Sequence, residues 1–164
     1  EMAKKSVEIN GLENQIKIVH GDLKNVSSIF KRHSFDVVTC NPPYMLDEHG
    51  KQNPNEYKRI ARHEVLCNLN DVISAAEYLL KPNGRFYMIH RPFRLVEIFS
   101  TLIKFKLEPK KMRLVQPFLQ TEPNMVLIEA KKNAASRLAV EKPLIVYEKP
   151  GLYTQEILQI YENL

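Results

Sequence analysis

Polar and hydrophobic residues follow two periods along this chain, one typical of strands and one typical of helices. The run 34–40 holds F-D-V-V-T-C between polar residues, which predicts a buried strand. Apolar residues recur at helical spacing over 71–81 and 92–107, which predicts two amphipathic helices. The same criteria predict further elements: helices over 1–11 and 154–164, and strands over 15–20, 85–90, 109–115, 124–130 and 144–147.

The order of these elements predicts the fold class. Strands alternate with helices before a closing pair of strands, which is typical of an α/β fold whose sheet is mostly parallel with an antiparallel edge strand. The polar stretch 134–142 resembles a linker. We therefore expect a main domain over 1–132, followed over 133–164 by the linker, a short strand and a helix.

Composition excludes several classes of protein. Hydrophobic residues make up 44% of the 164 residues and charged residues 26%, which are values of an ordinary globular domain. No apolar run approaches the roughly 18–20 residues that cross a bilayer, and the first residues do not resemble a signal peptide. Cys40 and Cys67 lack the spacing of a metal site and suit a reducing cytoplasm. The net charge of +5 permits a polyanionic partner.

The most informative residues follow the strand over 34–40. Asn41-Pro42-Pro43-Tyr44 ends that strand with two prolines, which lack an N–H and leave nearby carbonyls able to accept hydrogen bonds. An amide oxygen, a carbonyl and an aromatic ring at this place suit a planar group that carries an NH2. The alternative is a plain Pro-Pro turn, in which Asn41 is a turn former and Tyr44 a core residue.

The motif carries a family resemblance. D-V-V-T-C-N-P-P-Y resembles the catalytic motif of amino-methyltransferases that depend on S-adenosylmethionine. The stretches R-I-A-R-H-E (59–64), L-N-D-V-I-S-A-A-E-Y-L-L-K-P-N-G-R (69–85) and H-R-P (90–92) are similar to the bacterial valine-tRNA adenine-N6 methyltransferase group. The resemblance covers nearly all of the chain. It implies a Rossmann-like class I methyltransferase fold, S-adenosylmethionine as cofactor and the N6 amine of a tRNA adenine as acceptor.

The resemblance also implies roles for residues of the motif and of one earlier segment. Asn41, Pro42, Pro43 and Tyr44 would be catalytic: Asn41 Oδ1 and the Pro42 carbonyl accept from the amine, and Tyr44 stacks on the base. Asp22, Leu23 and Asn41 would bind the cofactor. For Asp22, an Asx-turn or helix N-cap is an equally good interpretation.

Further candidates lie on the substrate side. Tyr44, Arg59, Arg62, His63 and His90 would contact the substrate, although Arg59 and Arg62 also suit a solvated charged loop. His63 could act as a general base, which this chemistry does not require. The basic clusters suit either RNA backbone contacts or a solvated surface; they are Lys104/Lys106/Lys110/Lys111/Arg113 and Lys131/Lys132.

The cofactor half of the family pattern is not found in this sequence. A nucleoside-binding sheet of this kind uses a first strand, a Gly-rich turn and an acidic residue after the second strand. The chain resembles the family only from the helix after the second strand, so we expect a sheet that lacks its first two strands. We therefore expect a fragment that is inactive alone. Three alternatives stay open: methylation of a guanine N2 in rRNA, methylation of a protein glutamine amide, and a non-catalytic RNA-binding or partner-binding remnant.

Overall fold

The computed structural model describes residues 1–42 and 67–162. Short 3-10 turns at Leu23–Asn25 and Pro92–Arg94 each lead into an α-helix. The α-helices are α1 (Met2–Ile9), α2 (Val26–Ile29), α3 (Leu69–Leu79), α4 (Leu95–Lys104) and α5 (Gln155–Glu162). The strands are β1 (Phe35–Cys40), β2 (Leu80–His90), β3 (Leu107–Gln116), β4 (Met125–Lys132), β5 (Ala139–Val140), β6 (Leu144–Ile145), β7 (Tyr147–Lys149) and β8 (Leu152–Tyr153).

Six of these strands form one mixed sheet in the order β1-β2-β4-β3-β5, and β6 also pairs with β3. β1 runs parallel to β2, with Cys40 opposite Met88. β4 enters between β2 and β3 and runs antiparallel to both, so β2 and β3 point the same way. The pairings of β5 and β6 with β3 are parallel. The predicted α/β sheet of mostly parallel strands with an antiparallel component is therefore confirmed.

One face of this sheet builds the hydrophobic core. Side chains alternate along β2 and β4, and the buried set includes Phe86, Met88 and Ile128. Helices α3 and α4 pack on that same face through residues such as Ile73 and Leu102, which are fully buried. Apolar side chains at every second position of the strands and at helical spacing in α3 and α4 therefore pack into one core, as the sequence pattern predicts.

The first helix of this core, α3, begins at a capping box. Asn68 Oδ1 accepts from the backbone N–H of Asp71 at 3.0 Å, and the Asp71 carboxylate accepts from the N–H of Asn68 at 3.0 Å. These two bonds satisfy donors that a helix otherwise leaves without a partner. The helix therefore begins two residues earlier than predicted.

Several predicted elements differ from the structure. Residues 15–20 form turns and irregular backbone, so the strand predicted there is wrong. A strand needs a paired neighbour, and within residues 1–42 and 67–162 no strand pairs with the outer edge of β1. No residue of β1 is fully buried, so the burial predicted for that strand is also wrong. The helix predicted over 71–81 ends at Leu79, and Pro82-Asn83-Gly84 lies in an irregular start of β2, where Asn83 has φ of 64°.

The segment after β4 contacts the sheet at several points. Strand β6 pairs with the end of β3, and Thr154 Oγ1 donates to the Ile145 carbonyl at 2.7 Å. Arg113 of β3 donates to the Glu156 carboxylate of α5 at 2.6 Å. The boundary predicted between residues 132 and 133 stays a prediction.

Candidate active site

Asn41 and Pro42 lie at the carboxyl edge of the sheet, directly after β1. Cys40, the last residue of β1, is paired with Met88 on the neighbouring parallel strand, so Asn41 follows the strand at this edge. Asn41 is exposed, whereas Pro42 is buried. Ligands of parallel α/β sheets bind outside this edge, so the placement of Asn41 suits a binding role.

A cavity of about 670 Å³ opens beside Asn41. Most of the residues that line it belong to strands of the sheet. They include side chains that alternate with the buried core residues, such as Thr39, Tyr87 and Leu127. Charged residues stand on its far side, where Lys111 and Glu141 form an ion pair of 3.8 Å. A cavity of this size and mixed character is typical of a site for a small molecule or a nucleotide.

His90 ends β2 beside Pro42, and its side chain is fully buried. The next helix contributes an equally buried Arg94, whose guanidinium donates to both oxygens of Glu97 at 2.8 and 2.6 Å. Burial and the positive charge of Arg94 lower the pKa of His90 to about 4, so the imidazole is neutral at pH 7. Because the His90 side chain is buried, a substrate could reach it only if the surrounding residues moved. The substrate contact predicted for His90 stays a prediction.

Asp22 caps the 3-10 turn that precedes α2. Its Oδ1 accepts from the backbone N–H of Lys24 at 2.9 Å, which is the N-cap that the sequence left open as an alternative. The Asp22 side chain is exposed, and Leu23 is half-buried against the core. The cap uses one carboxylate oxygen, so cofactor binding by Asp22 and Leu23 stays a prediction.

Five of the predicted site residues lie outside the residues that the structure describes. They are Pro43, Tyr44, Arg59, Arg62 and His63. The roles predicted for them, as for Asn41 and Pro42, stay predictions.

Cys40 immediately precedes the motif and packs against the core. Burial, together with the neighbouring Cys67, raises the pKa of the Cys40 thiol to about 11. The thiol is therefore protonated at neutral pH and behaves as a small hydrophobic residue.

The sequence allowed the cluster Lys131/Lys132 to contact RNA, but Lys132 does not lie on the surface of the protein. Its side chain is 3% exposed, and Nζ lies 2.8 Å from Glu77 Oε1 and 3.0 Å from the Leu80 carbonyl. Arg113 is also engaged, since it holds Glu156 and the Lys142 carbonyl. These two residues are therefore structural, because their charges are satisfied within the chain.

The arrangement of sheet, helices and edge site defines the Rossmann-like fold of methyltransferases. A solved structure of a predicted O-methyltransferase from Agrobacterium tumefaciens superposes on 98% of this chain and 70% of its own, with a TM-score of 0.75 and 20% identity. This likeness shows the fold, and it confirms the fold class predicted from the sequence.

Relatives in sequence carry a more particular name, tRNA1(Val) (adenine(37)-N6)-methyltransferase. One from Porphyromonas gingivalis is 25% identical over 99% of this chain and 64% of its own length. One from Histophilus somni is 32% identical over 98% of this chain and 65% of its own length. The resemblance predicted from the sequence is confirmed by these relatives, of which the chain spans just under two thirds. No protein-family model matches the chain. Within its described residues, no helix is long and apolar enough to cross a membrane.

Proposed function

We propose that this chain is part of an enzyme that transfers a methyl group from S-adenosylmethionine to the N6 amine of an adenine in tRNA. The relatives named as tRNA1(Val) adenine-N6 methyltransferases support the substrate, and the sequence N-P-P-Y supports the acceptor chemistry. We further propose that the enzyme works in the cytoplasm, where tRNA is found and thiols stay reduced.

The position of Asn41 is the observation that carries this proposal. Asn41 is exposed at the carboxyl end of β1, which runs parallel to β2, and it lines the cavity of about 670 Å³. Buried Pro42 follows at once and limits the backbone freedom of the turn. An acceptor of hydrogen bonds is thus held on a rigid element, as a positioning group needs to be.

The chemistry requires orientation more than a strong base. The lone pair of an exocyclic adenine amine is delocalised into the ring, so the nitrogen is a poor nucleophile. Asn41 Oδ1 would accept one N–H of the amine and the Pro42 carbonyl the other. Together they would draw the nitrogen toward tetrahedral geometry, so that its lone pair leaves conjugation with the ring, and they would support the positive charge that develops on it as the methyl group arrives. Tyr44 would stack on the base, which has to leave its own stack before it can react.

The residues proposed for the cofactor are compatible with that role. Asp22 and Asn41 both present exposed polar side chains, so a nucleoside hydroxyl or amine could reach them. S-adenosylmethionine, when bound, supplies the methyl group as an electrophile. Asp22 would contribute a carboxylate oxygen that its helix cap does not use.

Methyl transfer by the complete protein tests the proposal. The protein would be incubated with S-adenosylmethionine labelled in its methyl group and, separately, with unmodified tRNA, rRNA or total protein. We expect label in tRNA, recovered as N6-methyladenosine after nuclease digestion. Asn41→Ala should reduce this rate at least about 100-fold, as loss of an oriented hydrogen-bonding group does in other enzymes. Asn70→Ala, an exposed amide on α3, is the matched control and should leave the rate unchanged.

Other outcomes would select an alternative. Label in rRNA as N2-methylguanosine, or in protein as methylglutamine, would replace tRNA adenine as the acceptor. Absence of transfer to all three substrates, with calorimetry that detects no binding of S-adenosylmethionine, would indicate a non-catalytic protein. Full activity of Asn41→Ala would refute the role of the motif.

A further inference from the structure

An exposed aromatic residue follows the carboxyl end of β2. Phe93 lies in the 3-10 turn Pro92–Arg94, and 71% of its surface is exposed. Burial of a phenylalanine side chain typically contributes about 1.5–3 kcal/mol, so the fold forgoes that contribution here. Val96, three residues on and 82% exposed, adds to an apolar surface at the start of α4.

The backbone on either side of Phe93 is fixed by arginines. Before it, the Arg91 guanidinium donates to the Asn124 carbonyl at 2.9 Å, which ties the turn to the loop between β3 and β4. After it, Arg94 is buried and makes the double hydrogen bond to Glu97. The ring of Phe93 therefore stands on a rigid support, and ordering it for a ligand would cost little conformational entropy.

Phe93 is close to the acceptor site. Strands β1 and β2 run parallel and are paired as far as Cys40 and Met88, so the residues that follow both strands lie at the same edge of the sheet. Asn41 comes directly after β1, and Phe93 comes three residues after His90, the last residue of β2.

The charge next to Phe93 comes from two arginines. Arg94 is buried and pairs with Glu97, whereas Arg91 is half-buried and donates to a backbone carbonyl, so its positive charge is not met by a carboxylate in that contact. Flat aromatic rings beside positive charge are the usual stacking positions for unpaired bases in RNA-binding proteins. A base that flanks the methylated adenine has to be accommodated at the edge of the sheet where Asn41 lies.

We propose that Phe93 is a stacking position for an unpaired nucleotide of the RNA substrate that flanks the target adenine, with Arg91 beside it to meet the phosphate backbone. The proposal rests on the proposed function and adds a residue that determines how the substrate is held. Phe93 positions the RNA and takes no part in the transfer step.

Steady-state kinetics of the complete enzyme on tRNA test this role. Removal of one stacking contact typically weakens RNA binding about 10-fold, so Phe93→Ala should raise KM for tRNA about 10-fold and leave kcat within about 2-fold. Phe93→Trp should restore KM, because the indole also stacks. Val96→Ala is the matched control, since Val96 is an exposed apolar side chain at the start of α4 without a ring that could stack, and KM should not change. An RNA stem-loop with 2-aminopurine next to the target adenine should lose fluorescence on binding wild-type protein and lose less on binding Phe93→Ala.

The outcomes distinguish this proposal from the proposed function. Methylation by wild-type enzyme with equal KM values for Phe93→Ala and Val96→Ala would refute the stacking role and leave the function intact. The same holds if Phe93→Ala lowers kcat alone, or if Phe93→Trp fails to rescue although thermal unfolding shows it to be folded. Absence of RNA methylation by the wild-type enzyme would overturn both proposals.

Discussion

The ammonium nitrogen of Lys132 lies 2.8 Å from Oε1 of Glu77, and this pair joins the end of β4 to the last turn of α3. Lys132 is buried, and backbone carbonyls of Glu77 and Leu80 also accept from it. Arg32 Nη2 also lies 2.9 Å from Glu77 Oε1. The pair therefore connects the helix layer with the sheet, and each of the two charges has a partner of opposite charge within the chain.

Removal of the carboxylate from this pair should destabilise the fold. Glu77→Gln leaves the buried ammonium of Lys132 without its counter-charge, and we expect the free energy of unfolding to fall by about 2 kcal/mol. Asp36→Asn is the control, since it breaks an exposed ion pair of the same length with Lys81 and should change stability little. Urea unfolding monitored by circular dichroism measures both. Equal effects of the two variants would show that burial of Lys132 contributes nothing.

Glu77 should also contribute to acid denaturation. Burial alone would raise its pKa, but the hydrogen bond and charge of Lys132 and the charge of Arg32 outweigh burial and hold the pKa below its usual value of 4.5. A lowered carboxyl pKa stabilises the folded state above the unfolded pKa, and that contribution is lost as pH falls through the folded pKa. Stability of the wild type should thus decline more steeply below pH 4.5 than that of Glu77→Gln. Parallel curves in this range would contradict the prediction.

His90 should make stability depend on pH in a higher range. Its pKa is lowered from 6.5 to about 4, first by burial and then by the charge of Arg94. The unfolded chain binds a proton at this residue below pH 6.5 and the folded chain does not, so stability falls as pH drops from 6.5 to about 4. His90→Gln should flatten this part of the curve, whatever its effect on stability at pH 7. The exposed His20→Gln serves as the control, and a slope that persists in His90→Gln would refute the assignment.

The capping box should account for part of the stability of α3. Asn68→Ala removes the side-chain bond to the Asp71 N–H and should lower the free energy of unfolding by about 1 kcal/mol. Asn70→Ala, inside the same helix, should change it by less than about 0.5 kcal/mol. Chemical denaturation of the two variants side by side makes the comparison. A loss as large in Asn70→Ala would show that the effect of Asn68→Ala does not come from the cap.

Cys40 should be slow to react with alkylating agents in the folded protein. A thiol with pKa of about 11 holds about 100-fold less thiolate at pH 8 than one with pKa 9.0, and only the thiolate reacts. Peptide mass spectrometry after brief iodoacetamide treatment should find Cys40 unmodified in native protein and modified in urea. Rapid native modification would indicate that the thiol is solvated.

Elements with a clear period were predictable, because burial on one face leaves a repeat in the sequence. This holds for α3 and for β4, where Val126, Ile128 and Ala130 alternate. For β1 the strand itself was predicted correctly, but the burial predicted for it was wrong, since Phe35 and Val37 are exposed. Lys132 continues the alternation in β4, which indicates that its side chain is buried. The sequence pattern did not lead to this prediction, because charged side chains are usually exposed. The strand predicted at 15–20 failed because pairing depends on a neighbour that local sequence does not reveal. The pair Arg94 and Glu97 was missed for a related reason, since a charged pair at helical spacing is usually a surface feature.

The placement of β4 between β2 and β3 has a consequence for how the molecule folds. β3 and β4 are joined by a short loop and form a hairpin, which can close early because little chain entropy is lost. β2 adds along β4. Among the described residues β1 pairs with β2 and with no other strand, and residues 41–79 separate the two strands in sequence. We expect β1 to be the last strand to join. Strand β1, which Asn41 directly follows, would then pair with a sheet that has already formed. Partly folded chains would therefore contain the hydrophobic core before the candidate active site is assembled.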